Sequence, residues 1–318
     1  MMNDAAELIK NAQTINIIAH EDEDADSVGS CFAMRLALLS MGKDAKCYFS
    51  APIEKRISFM GDDYAVFDEN AGYFGDLCIC LDCADIYRLG KRVKVFESAK
   101  HTLSVDHHET NTRFAEVNFV DAKAAAVGEI LYSLFLKMGI TIDEKIAENL
   151  YAAISADTGS FKYSNVTEKT MNIAAKLIAT GINHAEISRL LHDMDEIGVI
   201  RCKAEIMQNI EDYFGGKLTV VTATDALFEK FGITERDSGD IVNIARAVKG
   251  CEIAVSIRET GGQIKLSFRS NSELCVSGVA QKFGGGGHSK AAGAKLLGKS
   301  VEEVKKEVIA AVGELLND

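Results

Sequence analysis

The sequence has a single proline and no tryptophan among its 318 residues. The scarcity of proline argues against an extended linker. No apolar run approaches the roughly 18 residues that a membrane-spanning helix needs. The first residues, MMNDAAELIKNAQ, lack a basic segment followed by an apolar one, so no signal peptide is predicted. These absences predict a cytoplasmic protein that does not act at a membrane.

Basic residues are also in deficit. Lysine and arginine number 35 against 47 aspartates and glutamates, which gives a formal net charge of −12 at pH 7. A general nucleic-acid-binding protein would need a basic face, so this class is disfavoured. A small anionic substrate held by metal ions and a few cations is compatible with the charge. The hydrophobic content of 47% is enough for a sizeable core, and the length predicts about two domains.

Eight cysteines are dispersed along the chain, and three of them fall in the strand-like stretch DLCICLDC. No second cysteine pair lies nearby in the sequence, as a zinc site would require. We therefore expect Cys78, Cys80 and Cys83 to be small buried side chains, and the thiols to be reduced.

The first half of the chain alternates strand-like and helix-like segments. TINIIAH, DAKCYFS, DLCICLD and HTLSVD are short β-rich runs, whereas DSVGSCFAMRLALLSMG and GEILYSLFLKMG have the apolar spacing of helices. This alternation predicts an α/β fold with a mostly parallel sheet and helices on both faces. Ligands of such folds bind beyond the carboxyl ends of the strands.

The second half begins a new series of strands and helices. EIAVSIRETGGQIKLSFRS predicts two strands joined by a Gly-Gly turn. We predict a first domain over residues 1–185, a helical connector over 186–212 and a smaller α/β domain over 213–318.

Polar clusters recur at four places where predicted strands of the first domain stop. A lone aspartate after a strand is usually a helix N-cap, and adjacent histidines are often surface residues. Together, however, carboxylates and imidazoles on one rim are the ligands that divalent metal ions require. The clustered residues are His20, Asp24, Asp26, Asp82, Asp106, His107, His108 and Asp157.

The loop AHEDEDADSVGS places five carboxylates within six residues, directly after an apolar strand. Like charges this close repel each other, so we expect a positive partner. Asp24 and Asp26 belong to the metal-ligand candidates. Glu21, Asp22 and Glu23 either orient a histidine or water, or are solvated. We favour solvated charge for these three, because the sequence offers them no partner.

Near the C-terminus, glycines 284–287 precede His288 and a run of small residues. Four glycines alone favour a flexible turn, but they also permit a backbone to approach a ligand closely. The run 289–292 could open a helix whose free N–H groups favour an anion. Upstream, Arg269 and Ser270 end a strand-like segment. The guanidinium offers a fork for phosphate oxygens, although an exposed strand-end charge is the simpler interpretation.

These motifs together resemble those of a known family. In order, H-x-x-x-D-x-D, a lone aspartate, D-H-H, D-T-G and GGGGH resemble the DHH phosphoesterase superfamily and its associated C-terminal domain. The resemblance spans nearly the whole chain. The length and two-domain plan are similar to the bacterial and archaeal phosphodiesterases of short oligonucleotides that also dephosphorylate 3′-phosphoadenosine 5′-phosphate.

The resemblance implies a catalytic first domain with two divalent metal ions. It assigns one ion to His20, Asp24 and Asp82, and the other to Asp26, Asp82, His107 and Asp157, with Asp82 bridging. Mixed oxygen and nitrogen ligation favours manganese over magnesium, and cobalt is a further option. Related sequences usually read Pro-Asp-Gly-Asp where this one reads EDAD over residues 23–26, which should alter the stiffness of the loop but keeps both ligand positions.

The resemblance also implies roles around the metals. His108 would contact the scissile phosphate or protonate the leaving oxygen, and Asp106 would orient one of the two histidines. A structural hydrogen bond is the alternative for His108. The smaller domain would bind substrate, and its implied contacts are Arg269, Ser270, Gly285, Gly286, Gly287 and His288.

The implied function is manganese-dependent hydrolysis of short oligoribonucleotides to mononucleotides, of 3′-phosphoadenosine 5′-phosphate, or of both. The expected partners are these small substrates and no long nucleic acid, and a homodimer is left open. One alternative is a phosphodiesterase for cyclic dinucleotides or for linear pApA and pGpG. A pyrophosphatase is disfavoured by GGGGH and the Arg-Ser pair, and a metal-free nucleotide sensor by the complete set of ligand positions.

Overall fold

The structure is a computed structural model that describes residues 1–239 and 241–317. The chain divides into two compact units, Met1–Met194 and Asp195–Asp318. The division falls inside the predicted connector 186–212, whose residues are shared between the units. Each unit has its own sheet and its own hydrophobic core.

The first unit contains one parallel sheet. Within residues 1–194, all of which are described, its six strands lie in the order β3-β2-β1-β4-β5-β6. The strands are β1 Thr14–Ile18, β2 Asp44–Phe49, β3 Ala65–Val66, β4 Gly75–Leu81, β5 Ala99–Asp106 and β6 Val117–Val120. Strands β1, β2, β4 and β5 coincide with the runs predicted from the sequence.

Helices cover both faces of this sheet, as predicted. They are α1 Met2–Asn11, α2 Ala25–Ser40, α3 Val93–Glu97, α4 Val127–Met138, α5 Glu144–Asp157, α6 Glu168–Ile178 and α7 His184–Ser188. The larger core contains the apolar sides of α1, α2, α4 and α5, and a smaller core on other sheet residues includes α3 and the buried Cys78, Cys80 and Cys83.

Two packing features bring the termini of the helices to the rim of the sheet. Parallel strands end at one edge, and the chain order reverses at β1, which has β2 and β4 as its neighbours. Helix α2 also packs closely on α5: a Cβ at Gly29 would lie 2.7 Å from the backbone oxygen of Asn149. This approach holds the start of α2 and the end of α5 in fixed register.

The second unit has a mixed sheet. Among residues 195–239 and 241–317, its six strands lie in the order β11-β12-β10-β9-β8-β7, and only β8 and β9 pair in parallel. The strands are β7 Glu211–Tyr213, β8 Leu218–Ala223, β9 Ile253–Thr260, β10 Gln263–Ser270, β11 Gly286–Gly287 and β12 Ala291–Leu297. The predicted hairpin is present as β9 and β10.

The helices of this unit pack into two apolar clusters. They are α8 Ile197–Gln208, α9 Asp225–Phe231, α10 Val242–Arg246, α11 Ser277–Lys282 and α12 Val301–Asn317. One cluster includes α11 and α12, and the other includes α8, α9 and α10. In the described part of the chain, no helix combines the length and apolar character needed to cross a membrane.

Candidate metal centre

His20 lies just beyond β1 and is buried. Its Nε2 is 3.4 Å from Oδ2 of Asp82 and 3.6 Å from Oδ2 of Asp24. Asp24 is also the N-cap of α2, because its Oδ1 accepts a 3.0 Å hydrogen bond from the backbone N–H of Ser27. The N-cap and ligand interpretations of Asp24 are therefore compatible, since each uses a different carboxylate oxygen.

Asp82 follows β4 and lies between the histidines. Its backbone is left-handed, with φ of 54°, an uncommon conformation for a residue other than glycine. Its Oδ1 is 3.5 Å from Nε2 of His107 and 3.6 Å from Nδ1 of His108. Among the described residues, this buried oxygen has no hydrogen-bond partner. A buried carboxylate oxygen without a donor is costly, and a cation would offset that cost.

Asp26 is completely buried in the first turn of α2 and reaches the start of α4. Its Oδ2 accepts the N–H of Val127 at 2.7 Å, and its Oδ1 accepts the N–H of Gly128 at 3.2 Å and the hydroxyl of Ser30 at 3.0 Å. Burial, together with the negative charge of Asp82, raises the pKa of Asp26 to about 7. The carboxylate therefore anchors two helices at the rim.

The Asp-His-His segment begins at the last residue of β5. Oδ1 of the buried Asp106 accepts the backbone N–H of His107 and lies 2.8 Å from Nδ1 of His108. Oδ2 of Asp106 accepts a 2.7 Å hydrogen bond from the side chain of Asn111. Asp106 thus contacts the His108 ring and the His107 backbone, and its positioning role stays a prediction. Nδ1 of His107 contacts the backbone oxygen of Ala124 at 3.3 Å.

Asp157 is the last residue of the helix α5, so the prediction that it follows a strand was wrong. Its Oδ2 is 3.3 Å from Nε2 of His107. The side chain of Asn165 donates to the backbone oxygens of Asp157 and Ala125, at 3.0 and 3.2 Å. Asn165 therefore joins the end of α5 to the segment that contacts His107.

Three groups of potential metal-binding atoms occur among the described residues, and the predicted ligands come together in two of them. The atoms of each group lie within 4.8 Å of one another. The groups are His20, Asp24 and Asp82; Asp26, His107 and Asp157; and Asp82, His107 and His108. The first group is the ligand set implied for one ion. The second group is the set implied for the other ion, except that it lacks Asp82. The third includes His108, which the sequence did not suggest as a ligand. Metal ligation itself stays a prediction.

The electrostatics of the rim reflect this crowding. Burial opposes protonation of His20 and His107, but nearby carboxylates outweigh it and raise their pKa values to about 10 and about 11. Burial would raise the pKa of Asp82, yet the two histidines hold it below its usual range. Burial and the charge of Asp26 raise the pKa of Asp157. Because a ligating imidazole must be deprotonated, a metal ion would have to displace protons here.

The prediction of solvated charge was wrong for Glu23. Its Oε1 lies 2.7 Å from Nη1 of Arg92 and accepts the backbone N–H of Ser50 at 2.6 Å. Arg92 lies far along the sequence in a 3-10 helix, so no local spacing indicates this pair. Asp22 and Glu21 are exposed.

The side chains of Arg269 and Ser270 do not lie on the same face of the sheet in the second unit. Successive residues of a strand point to opposite faces, and these two end β10. The guanidinium of Arg269 donates to the backbone oxygen of Phe268 at 3.1 Å. The hydroxyl of Ser270 is buried and donates to the backbone oxygen of Ser272 at 2.9 Å. The alternation visible in QIKLSFRS could have indicated this separation.

The glycine loop is ordered by strand pairing. Gly286 and Gly287 form β11, which pairs with β12. The backbone N–H of His288 donates a 2.7 Å hydrogen bond to the backbone oxygen of Ala291. A Cβ at Gly285 would lie 2.0 Å from the backbone oxygen of Gly293, so this close approach requires glycine. The expected helix after His288 was wrong: the small residues enter β12, where they allow backbones to approach, rather than a helix.

Comparisons with known proteins match both units. Residues 14–154 match the DHH family, N-terminal domain, and residues 204–318 match the DHHA1 domain. A bifunctional oligoribonuclease and PAP phosphatase NrnA of Thermus thermophilus is 31% identical over 313 residues, covering 98% of this chain and 93% of that protein. Its Bacillus subtilis namesake is 30% identical over 287 residues, covering 89% of each.

A solved structure shares the whole fold. The crystal structure of an exopolyphosphatase-related protein from Bacteroides fragilis superimposes with a TM-score of 0.91 at 23% sequence identity. The match covers 100% of this chain and 97% of the other. At this level of identity the similarity shows a common fold.

Proposed function

Because this chain belongs to the DHH family, we propose that it is a divalent-metal-dependent phosphoesterase that hydrolyses short oligoribonucleotides and 3′-phosphoadenosine 5′-phosphate. Two relatives that it matches over most of their length are named as oligoribonucleases and PAP phosphatases. The observation that carries the proposal is the convergence of histidines and aspartates from four separate segments, which are residues 20–26, Asp82, residues 107–108 and Asp157.

The donor set fits two divalent cations. The proposed ligands are His20, Asp24 and Asp82 for one ion, and Asp26, Asp82, His107 and Asp157 for the other. The buried Oδ1 of Asp82 supports this assignment, because it has no hydrogen-bond partner among the described residues and lies 3.5 and 3.6 Å from two imidazole nitrogens. Mixed oxygen and nitrogen donors suit manganese better than magnesium, which sheds its water reluctantly.

Bound cations would lower the pKa of a coordinated water towards roughly 7 and neutralise charge on the phosphoryl group. The chain's own residues prepare the site for that chemistry. Asp106 orients His108 through Nδ1. With Nδ1–H directed at Asp106, only the protonated imidazole also carries a proton on Nε2, and in that form His108 would contact the scissile phosphate or protonate the leaving oxygen. Asn111 holds Asp106 in place for this role.

The second unit is proposed to bind the remainder of the substrate. Arg269 offers a guanidinium to a phosphate, and the paired backbone of Gly285, Gly286 and Gly287 presents His288. The buried hydroxyl of Ser270 supports the turn at Ser272. Ser270 therefore contributes to the shape of the turn at the end of β10.

Short substrates fit the charge of the chain. Affinity for a long polyanion derives largely from many lysine and arginine contacts, whereas this chain has a net charge of −12. A dinucleotide or a bisphosphorylated nucleoside needs only a few cationic groups. We place this activity in the cytoplasm, where fragments of RNA arise.

A substrate panel tests the proposed function. With manganese present, kcat/KM is measured for diadenylate, a tetranucleotide, a 24-nucleotide RNA, a cyclic dinucleotide, 3′-phosphoadenosine 5′-phosphate and pyrophosphate. We expect diadenylate and the bisphosphate to be turned over, with kcat/KM for the 24-nucleotide RNA about 100-fold lower than for diadenylate, since its many phosphates meet an acidic chain.

The panel also distinguishes the alternatives. Equal turnover of diadenylate and the long RNA would contradict the proposed substrate class. Preference for the cyclic dinucleotide or for pyrophosphate would assign the chain to a different activity on the same metal centre.

A further inference from the structure

Arg92 is a charged side chain with only 1% of its surface exposed. It ends the 3-10 helix Ile86–Arg92, in the segment that follows Asp82 along the chain. Its Nη1 contacts Glu23 at 2.7 Å and donates to the backbone oxygen of Tyr48 at 3.2 Å. In the part of the chain that the structure describes, Nε and Nη2 of Arg92 have no hydrogen-bond partner.

Glu23 uses both of its carboxylate oxygens. Oε1 receives Arg92 and the backbone N–H of Ser50, and Oε2 lies 2.6 Å from the hydroxyl of Ser50. The same hydroxyl is 2.8 Å from the backbone oxygen of Glu21. The backbone N–H of Glu21 in turn donates a 2.8 Å hydrogen bond to the backbone oxygen of Arg88. We call these contacts of Glu23, Arg92 and Ser50 the loop latch.

The loop latch lies within the metal-binding loop. Residues 21–23 connect His20 to Asp24, so the latch fixes the chain between two proposed ligands of one ion. It ties that loop to Ser50 after β2 and to the 3-10 helix after β4. The strands on either side of β1 therefore both hold the loop.

The burial of Arg92 is difficult to explain by stability alone. Removing a guanidinium from water is expensive, and a buried ion pair often stabilises a fold no better than apolar residues would. Two of its three nitrogens also lack partners among the described residues. The ion pair of Glu23 and Arg92 does, however, hold the loop between His20 and Asp24 in a defined geometry.

We propose that Glu23 and Arg92 are positioning residues that hold His20 and Asp24 in the geometry a divalent cation requires. This inference rests on the proposed metal centre. Neither residue is expected to touch the ion. Groups that orient metal ligands in this way typically contribute 10- to 100-fold to metal affinity.

Two alanine variants separate positioning from simple attraction of the cation by negative charge. Glu23→Ala and Asp22→Ala each remove one carboxylate from the same loop, but Asp22 is exposed. Manganese affinity is measured by calorimetry on the full chain. We expect Glu23→Ala to weaken affinity by about 10- to 100-fold and Asp22→Ala by less than about threefold. Glu23→Gln, which can keep contacts to Ser50, should fall between them.

A second measurement uses the metal-free protein. Amide hydrogen exchange at Glu21 and Ser50 reports the latch directly, because their N–H groups donate to Arg88 and to Glu23. Exchange at both amides should be faster in Glu23→Ala and unchanged in Asp22→Ala. Thermal unfolding of each variant shows whether the fold is retained.

Each outcome has a distinct meaning. Equal manganese affinity in Glu23→Ala and Asp22→Ala would overturn the positioning role while leaving the metal centre intact. Unchanged exchange at Glu21 and Ser50 in Glu23→Ala would also overturn it. If the wild-type chain itself binds no manganese, the proposed metal centre fails first, and the positioning role fails with it.

Discussion

Replacement of Asp82 by asparagine is expected to lower kcat for diadenylate at least about 1,000-fold, equivalent to about 4 kcal/mol of transition-state stabilisation. Asp82 belongs to two of the three groups found among the described residues, one with His20 and Asp24 and one with His107 and His108. We propose that it bridges the two ions, so its loss should affect both. Asparagine suits this test because it is nearly isosteric and tolerates the left-handed backbone at this position. Steady-state kinetics with saturating manganese measure the loss.

Asp85→Asn provides the matched control. It makes the same chemical change three residues later, where Oδ1 of Asp85 accepts the N–H of Tyr87, and asparagine retains that acceptor. We expect its kcat to stay within about twofold of the wild type. If Asp82→Asn is folded by circular dichroism and keeps wild-type kcat, Asp82 does not hold the catalytic ions.

Removal of divalent ions is expected to reduce hydrolysis by at least about 1,000-fold, and addition of manganese should restore it. The physical reason is that a bound divalent ion would lower the pKa of its water towards the neutral range and offset the charge of the phosphoryl group. The protein is treated with a chelator, dialysed and assayed before and after addition of manganese, magnesium or cobalt. Full activity after chelation would contradict a metal-dependent mechanism.

The affinity for manganese should depend on pH, and the raised pKa values of two histidines give the direction of that dependence. In the metal-free chain the pKa values of His20 and His107 are about 10 and about 11, so both imidazoles are protonated at neutral pH. Each must lose its proton to ligate a metal, and affinity should therefore rise with pH, by at least about tenfold per unit between pH 6 and 8. Calorimetry in buffers of different ionisation enthalpy should detect proton release. Affinity that is independent of pH would contradict this description.

The stability of the metal-free protein should fall as pH rises, whereas the affinity for manganese should increase. The raised pKa values of His20 and His107 mean that their contacts with carboxylates stabilise the protein below pH 6.5, and that this contribution is lost as pH rises through about 10 to 11. Manganese should therefore stabilise the protein most at high pH.

Much of the candidate site could be predicted from the sequence because of one geometric rule. Strands β1, β4 and β5 are parallel, so residues that follow them must meet at one edge of the sheet. This rule predicts that His20, Asp82 and His107 lie close together, and the resemblance to the DHH superfamily implies that they are metal ligands. The hairpin of β9 and β10 was equally predictable from its Gly-Gly turn.

The remaining features depend on contacts between distant parts of the chain. Arg92 gives no local indication that it pairs with Glu23. Asn111 is a candidate for positioning the backbone because it follows the Asp-His-His segment, but the sequence does not indicate its contact with Asp106. The segment after His288 has residues small enough for a helix start, but pairing with β10 makes it a strand. Long-range pairing outweighed local preference in each case.

The proposed chemistry requires two divalent cations that share Asp82. A crystal grown with manganese and measured at the manganese absorption edge can locate both ions. We expect two anomalous peaks about 3.5–4 Å apart, with the Asp82 carboxylate in contact with both, His20 beside one and Asp157 beside the other. A single peak, or an Asp82 side chain remote from His20 and Asp157, would contradict the proposed chemistry.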